Sequence, residues 1–231
     1  SEAWLENAIA PEPMVILKGM SAASYYCKPS GRVLGDIDFL TDPEKTDELM
    51  DVLTEKGCKI IDEPGDSSHH RELTHGSTIL ELHFAIPGIP FGKAGELVRA
   101  RAEGMLSRRV MRELDGQKFP SPAPEDHALL HTQNHMQEAG VGLRHLCDWA
   151  AFLRAEADGA FWPEFLDFLK EIGLLRFAKV LSKTCAMYLG APLLGFAKDA
   201  PEELATGILE DILSGGNFGR RDETHSGSAV F

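Results

Sequence analysis

The sequence predicts an α+β fold: a mixed sheet with flanking helices over residues 1–120, followed by an all-helical domain over residues 121–231. Two observations carry the first half. Gly35-Asp36-Ile37-Asp38-Phe39-Leu40 and Thr78-Ile79-Leu80-Glu81-Leu82-His83-Phe84-Ala85-Ile86 both alternate apolar with polar side chains, the period of a half-buried strand. A third observation carries the second half. After Ser121-Pro122-Ala123-Pro124 the pattern becomes helical, punctuated by Pro163, Gly173, Gly190, Pro192 and Pro201.

In chain order, residues 1–10 read as a short helix holding Trp4, Leu5 and Ile9, stopped by Pro11 and Pro13. Met14-Val15-Ile16-Leu17 is the first strand, and residues 20–27 are helix-compatible up to Pro29-Ser30-Gly31. The second strand is 35–40. Asp42 then caps a helix with Pro43 at its first position and Glu44 in its first turn; Leu49, Val52 and Leu53 are its buried stripe and Gly57 its stop. Residues 58–62 form a short strand and 64–68 a loop. Residues 69–75 and 78–86 pair as a hairpin through Gly76-Ser77. A helix over 95–105 precedes a second hairpin around Asp115-Gly116. Helices follow at 125–138, 141–156, 162–171, 174–189 and 201–213, and the tail from Gly215 is Gly- and Ser-rich and loose.

Composition narrows the function classes. The 231 residues are 43% hydrophobic and 26% charged, ordinary for a globular protein. The net charge is −13, divided as −6 before residue 121 and −7 after it. Neither half has the cationic footprint that long nucleic acids require. No apolar run approaches a membrane span, and no signal peptide is visible at the N-terminus. Cys27, Cys58, Cys147 and Cys185 contain no C-x-x-C pair. They read as reduced core or near-core thiols of a cytoplasmic protein, with no structural zinc site.

The chemistry concentrates in three stretches. In an extended strand Asp36 and Asp38 project to one side, and two adjacent anions repel unless a cation lies between them. Oxygen ligands at this spacing suit a hard cation such as Mg²⁺. Glu81, on the polar face of the second alternating strand, completes a three-carboxylate set, and His83 shares its face. Lys18-Gly19 ends the first apolar run and Ser21 lies at the start of the helix-compatible segment 20–27. Such a strand-to-helix turn can hold phosphate through its backbone N–H groups and lysine. Arg32, four residues before Asp36, either reaches phosphate or pairs with acids. His127, His131 and His135 recur every four residues on one helix; with His145 they offer a transition-metal row, but a polar helix face is the simpler reading.

Leu17-Lys18-Gly19, Arg32 with Gly35-Asp36-Ile37-Asp38, and Leu80-Glu81-Leu82-His83, in this order, resemble the uncharacterised bacterial nucleotidyltransferases of the DNA polymerase β-like superfamily. Pro124-Glu125-Asp126, the segment Leu143-Arg144-His145-Leu146-Cys147-Asp148-Trp149 and Gly215-Gly216-Asn217-Phe218-Gly219 extend the resemblance over about residues 14–219. The wider superfamily usually has Gly-Ser in its first turn; here Lys18-Gly19 stands there with Ser21 two residues on.

The resemblance implies a nucleotidyltransferase-type mixed sheet and transfer of a nucleoside monophosphate from a nucleoside triphosphate. Mg²⁺ or Mn²⁺ would be held by Asp36, Asp38 and Glu81 as catalytic residues. Lys18, Gly19, Ser21, Arg32 and His83 would bind nucleotide. The acceptor is expected to be a hydroxyl or phosphate of a small molecule or a protein, with no long nucleic acid and no membrane as partner. The rival readings are a silent nucleotide- or partner-binding module of the same fold and a metal-dependent phosphohydrolase.

Overall fold

The computed structural model describes residues 2–62, 69–137 and 141–215. The loop at 64–68 and the glycine-rich tail beyond Gly215 lie outside them, as does the side chain of His135. The described residues form two compact units. The first takes Ser1–Ser24, Lys28–Pro87 and Arg99–His127; the second takes Tyr25–Cys27, Gly88–Val98 and the residues from Ala128 onward.

The first unit is built on a five-stranded mixed sheet. In chain order its elements are α1 (Glu2–Ile9), β1 (Val15–Ile16), α2 (Met20–Ala23), β2 (Ile37–Leu40), α3 (Thr46–Glu55), β3 (Lys59–Ile60), β4 (His70–His75) and β5 (Thr78–His83). The strand order is β1-β2-β5-β4-β3. Only β2 and β5 run parallel; the other neighbours are antiparallel. Alternation then sorts the side chains. Ile37, Phe39, Leu80, Leu82 and Leu73 enter a core shared with Leu5 and Ile9 of α1 and Leu49, Met50 and Leu53 of α3. Asp38, Glu81 and His83 take the other face by the same period of two.

Local chemistry fixes the boundaries. The Asp42 carboxylate accepts from the Glu44 N–H at 2.9 Å, capping a 3₁₀ turn at Pro43–Lys45 that runs into α3. The buried stripe of α3 takes Met50 where Val52 was expected; Val52 is half-buried. The β4–β5 hairpin pairs His75 with Thr78 across Gly76-Ser77, and Gly76 has φ 62°. Strand β5 stops at His83, three residues before the expected end. The N–H groups of Phe84 and Ala85 both donate to the His69 carbonyl, at 3.0 and 3.2 Å, which curls the chain off the ladder. Helix α2 is shorter than expected, ending at Ala23.

Helices α4 (Gly92–Glu103) and α5 (Met105–Arg108) lead to a separate hairpin of β6 (Val110–Leu114) and β7 (Gln117–Ser121). Its turn residues Asp115 and Gly116 both have positive φ, 50° and 79°, the geometry of a two-residue hairpin turn. Phe119 of β7 closes the core of the first unit.

At the start of α6 (Pro124–Gln137), Asp126 is fully buried and accepts from Arg101 Nε at 3.1 Å and from Arg108 Nε and Nη2, both at 3.0 Å. Removing one partner of such a buried group leaves uncompensated charge. Asp126→Asn is expected to cost about 3 kcal/mol of unfolding free energy, read as a lower urea midpoint at unchanged slope.

The second unit holds α7 (Leu143–Ala155), α8 (Trp162–Glu171), α9 (Leu175–Leu189) and α10 (Glu202–Gly215), close to the expected positions. Helix α9 packs against α7, α8 and α10. Trp149 sits at the centre, with its ring stacked on Phe152 at 5.2 Å and its Nε1–H donating to Ser182 Oγ at 3.0 Å. The Tyr26 hydroxyl donates to buried Asp148 at 2.6 Å. All four cysteines are free; Cys58 and Cys185 are buried, but Cys27 is exposed and is no core thiol.

Candidate active site

The parallel pairing of β2 and β5 sets Asp38 directly opposite Glu81 on neighbouring strands. One oxygen of each carboxylate and one ring nitrogen of His83 lie within 4.8 Å of one another. His83 Nε2 is 3.1 Å from Asp38 Oδ1 and 3.2 Å from Glu81 Oε2, so one N–H is shared between two carboxylates. From the end of β1, Lys18 Nζ donates to the same Asp38 Oδ1 at 3.0 Å. Asp38 and His83 are 2% exposed as side chains, Glu81 19% and Lys18 38%. A buried anion is thus ringed by two donors, with Glu81 and Lys18 reaching solvent.

The main chain explains how Lys18 arrives there. The Leu17 N–H donates to the Asp38 carbonyl at 2.9 Å, continuing the β1–β2 ladder. Gly19 then turns the chain with φ 60° and ψ −110°, a conformation open only to glycine. Lys18, between that ladder and the turn, sets its ammonium on Asp38.

The electrostatics follow from this packing. Burial alone would raise the Asp38 carboxyl, but the His83 hydrogen bond and then the Lys18 charge overcome it and hold the group well below the usual carboxylate range. Glu81 goes the other way. Its hydrogen bond to His83 pulls it down, yet burial and the Asp38 charge outweigh that and leave it raised. Burial pulls both Lys18 and His83 down, and the carboxylates more than restore them, so both end above their ordinary values. Two neighbouring carboxylates are therefore pushed apart: one a fixed anion, the other closer to accepting a proton.

The remaining expected residues fall as follows. Asp36 is exposed, one residue before β2, and lies outside the Asp38–Glu81–His83 group, though its charge is felt by Lys18. Ser21, expected at phosphate, is fully buried, and its hydroxyl donates to the Ile16 carbonyl. It clips the turn from inside and is not gathered with the carboxylates. The Arg32 guanidinium donates to the Val33 carbonyl at 3.4 Å. In the histidine row, His127 and His131 are buried rather than on a polar face, and His145 Nδ1 accepts from the Gly142 N–H at 3.2 Å as a helix cap. No metal-ligating group among the described residues includes any of these three histidines.

Sequence reasoning missed His69, His70 and Glu72. The hairpin register pairs His70 with His83 and Glu72 with Glu81, extending the polar face across a third strand. The signal was present in the Gly76-Ser77 turn, which fixes every cross-strand partner once its length is known.

The face thus carries two paired carboxylates, with a lysine and a glycine turn at its edge. The chain belongs to the uncharacterised nucleotidyltransferase family, whose model matches residues 10–190. Among solved structures it is similar to the lincomycin-bound crystal structure of the lincosamide antibiotic adenylyltransferase LnuA. That similarity has 16% identity and a TM-score of 0.41, and covers 60% of this chain and 84% of that one. No curated protein matches the chain.

Proposed function

We propose that this chain transfers a nucleoside monophosphate from a nucleoside triphosphate to a hydroxyl or phosphate acceptor and releases pyrophosphate. The observation that carries the reading is the register of Asp38 against Glu81 on adjacent parallel strands, in a chain whose family is the nucleotidyltransferases. The donor set fits a hard divalent cation, Mg²⁺ or Mn²⁺: two carboxylates within reach of one ion, with Asp36 exposed at the head of the same strand. Bound there, such a cation would neutralise phosphate charge and polarise the α-phosphoryl group.

This chain's own residues supply the rest. Asp38, held well below the usual carboxylate range by His83 and Lys18, is the anionic anchor of the site. Glu81, with its raised affinity for protons, takes the proton of an acceptor hydroxyl. The acceptor oxygen bonds the α-phosphorus as the bond to the bridging oxygen breaks, and pyrophosphate leaves with that electron pair. Lys18, half in solvent, turns from Asp38 to the phosphates, and Gly19 keeps the backbone low enough for them to approach. Arg32 completes the nucleotide contacts, and His83, buried between Asp38 and Glu81, orients the two carboxylates. Ser21 contributes by shaping the turn.

The acceptor is a small molecule or a protein, because an acidic chain of net charge −13 repels a long polyanion. No helix among the described residues is long and apolar enough to cross a membrane. Free thiols suit the reducing cytoplasm.

The test is product analysis with the four ribonucleoside triphosphates, Mg²⁺ and a panel of hydroxylated small molecules. Pyrophosphate release that depends on an acceptor supports the transferase. Phosphate release without acceptor indicates a hydrolase, and nucleotide binding without turnover indicates a binding module. Lys18→Met should raise KM for the triphosphate by roughly 10- to 100-fold, the loss of one charge-assisted hydrogen bond, with a smaller change in KM for the acceptor. Steady-state kinetics against each substrate separate the two.

A further inference from the structure

The polar face of the sheet carries more ligating groups than nucleotidyl transfer uses. One ring nitrogen each of His69, His70 and His83 lie within 4.8 Å of one another. The rings are close-packed, with centroids 4.5 Å apart for His69 and His70, 5.2 Å for His70 and His83, and 5.8 Å for His69 and His83. In a regular strand, adjacent residues such as His69 and His70 point to opposite faces. Here His69 precedes β4, and its carbonyl is taken by the N–H groups of Phe84 and Ala85, which lets both rings meet His83 on one side.

Two details point to a ligand. His70 Nε2 is 3.2 Å from Glu72 Oε1, the carboxylate–imidazole pairing that orients metal-bound histidines through their second nitrogen. His83 spends Nε2 on Asp38 and Glu81, while its Nδ1 is buried with no hydrogen-bond partner among the described residues. A buried ring nitrogen without a partner is costly, and a cation would satisfy it.

We propose that His69, His70 and His83 form a second cation site, selective for a zinc-class transition ion, beside the carboxylate pair and distinct from it. Nitrogen-only donors favour Zn²⁺, Co²⁺ or Ni²⁺ over Mg²⁺, whereas Asp38 and Glu81 favour the reverse. Three imidazoles leave a fourth position open. The shared His83 ring then ties the transition ion to the carboxylate anion through its two nitrogens, so that the ion orders the ring and the ring orders Asp38 and Glu81.

The experiment titrates the metal-stripped full chain with Co²⁺ and follows visible absorption. The expected result is a band that saturates near one equivalent, is displaced by equimolar Zn²⁺ and survives a large excess of Mg²⁺. His69→Ala and His70→Ala should each weaken Co²⁺ binding by at least about 10-fold, and Glu72→Gln by about 10-fold, with unchanged far-ultraviolet circular dichroism. Asp38→Asn should keep the band.

Three outcomes overturn the site: no band, a band removed by Mg²⁺, or a band lost in Asp38→Asn but kept in the histidine variants, which would put cobalt on the carboxylates. The Zn²⁺-against-Mg²⁺ competition needs no variant, so it stands even if a substituted chain folds poorly. The outcome is also separate from the transferase reading. The band reports His69 and His70 whether or not any acceptor receives a nucleotide, and pyrophosphate release can fail while the band persists.

Discussion

Asp38→Asn is expected to lower turnover by roughly 10² or more, since a principal anchor of transition-state charge is lost. The side chain keeps its size and loses one negative charge. Asp38 is where Lys18, His83 and the partner carboxylate converge, so the loss reaches every group in the site. Affinity for the Mg²⁺–nucleotide complex should fall with it. Repulsion between two adjacent carboxylates, taken alone, would let the apo protein tolerate or welcome the change. The structure reverses that sign. Asp38 is 2% exposed and accepts from both Lys18 Nζ and His83 Nε2, so neutralising it removes two charge-assisted bonds. The apo variant should be less stable by about 1–3 kcal/mol. Mg²⁺ with a triphosphate should raise the melting temperature of the parent and raise it far less in the variant. Thermal melts of both, with and without these additions, decide it. Equal shifts would show that Asp38 does not hold the metal–nucleotide complex.

What could be read from sequence was whatever depends on period and punctuation. Alternation around Ile37–Phe39 and Leu80–Leu82 placed the apolar residues in one core and the carboxylates on one face. Proline and glycine marked the helices of the second unit nearly to the residue. What could not be read depends on where the chain bends out of its period. Ser21 looked like a phosphate ligand because it follows Lys18-Gly19, yet the positive φ of Gly19 turns its hydroxyl inward to Ile16. The end of β5 at His83 is set by His69, fourteen residues earlier, through a carbonyl that no side-chain pattern encodes. Asp126 gave no hint of its two arginines, since Arg101 and Arg108 reach it only after α4 and α5 have folded. The His69–His70–Glu72 cluster was within reach, because the two-residue hairpin turn alone dictates that His70 faces His83.

The largest stability effect is expected at Trp149. Its side chain is fully buried, packed on Phe152 at 5.2 Å and edge-on to Trp162 at 6.3 Å. Phe152 and Trp162 in turn meet Phe161 and Phe165, so the indole is the keystone of an aromatic cluster joining α7 to α8. Trp149→Ala removes the largest fully buried side chain among the described residues and leaves a cavity that rigid neighbouring rings cannot fill. The cost is about 3–5 kcal/mol, read as a lower urea midpoint at unchanged slope. Trp149→Phe separates the two contributions. It retains a ring against Phe152 but cannot donate to Ser182 Oγ, the 3.0 Å bond that fastens α7 to α9. It should therefore lose clearly less than alanine, with the missing hydrogen bond worth about 1 kcal/mol. If Ser182→Ala alone costs about as much as Trp149→Phe, and the double variant little more than either, the bond and not the ring volume accounts for the phenylalanine result. A phenylalanine variant as unstable as the alanine one would instead mean that the shape of the indole, rather than its stacking partner, holds the cluster together.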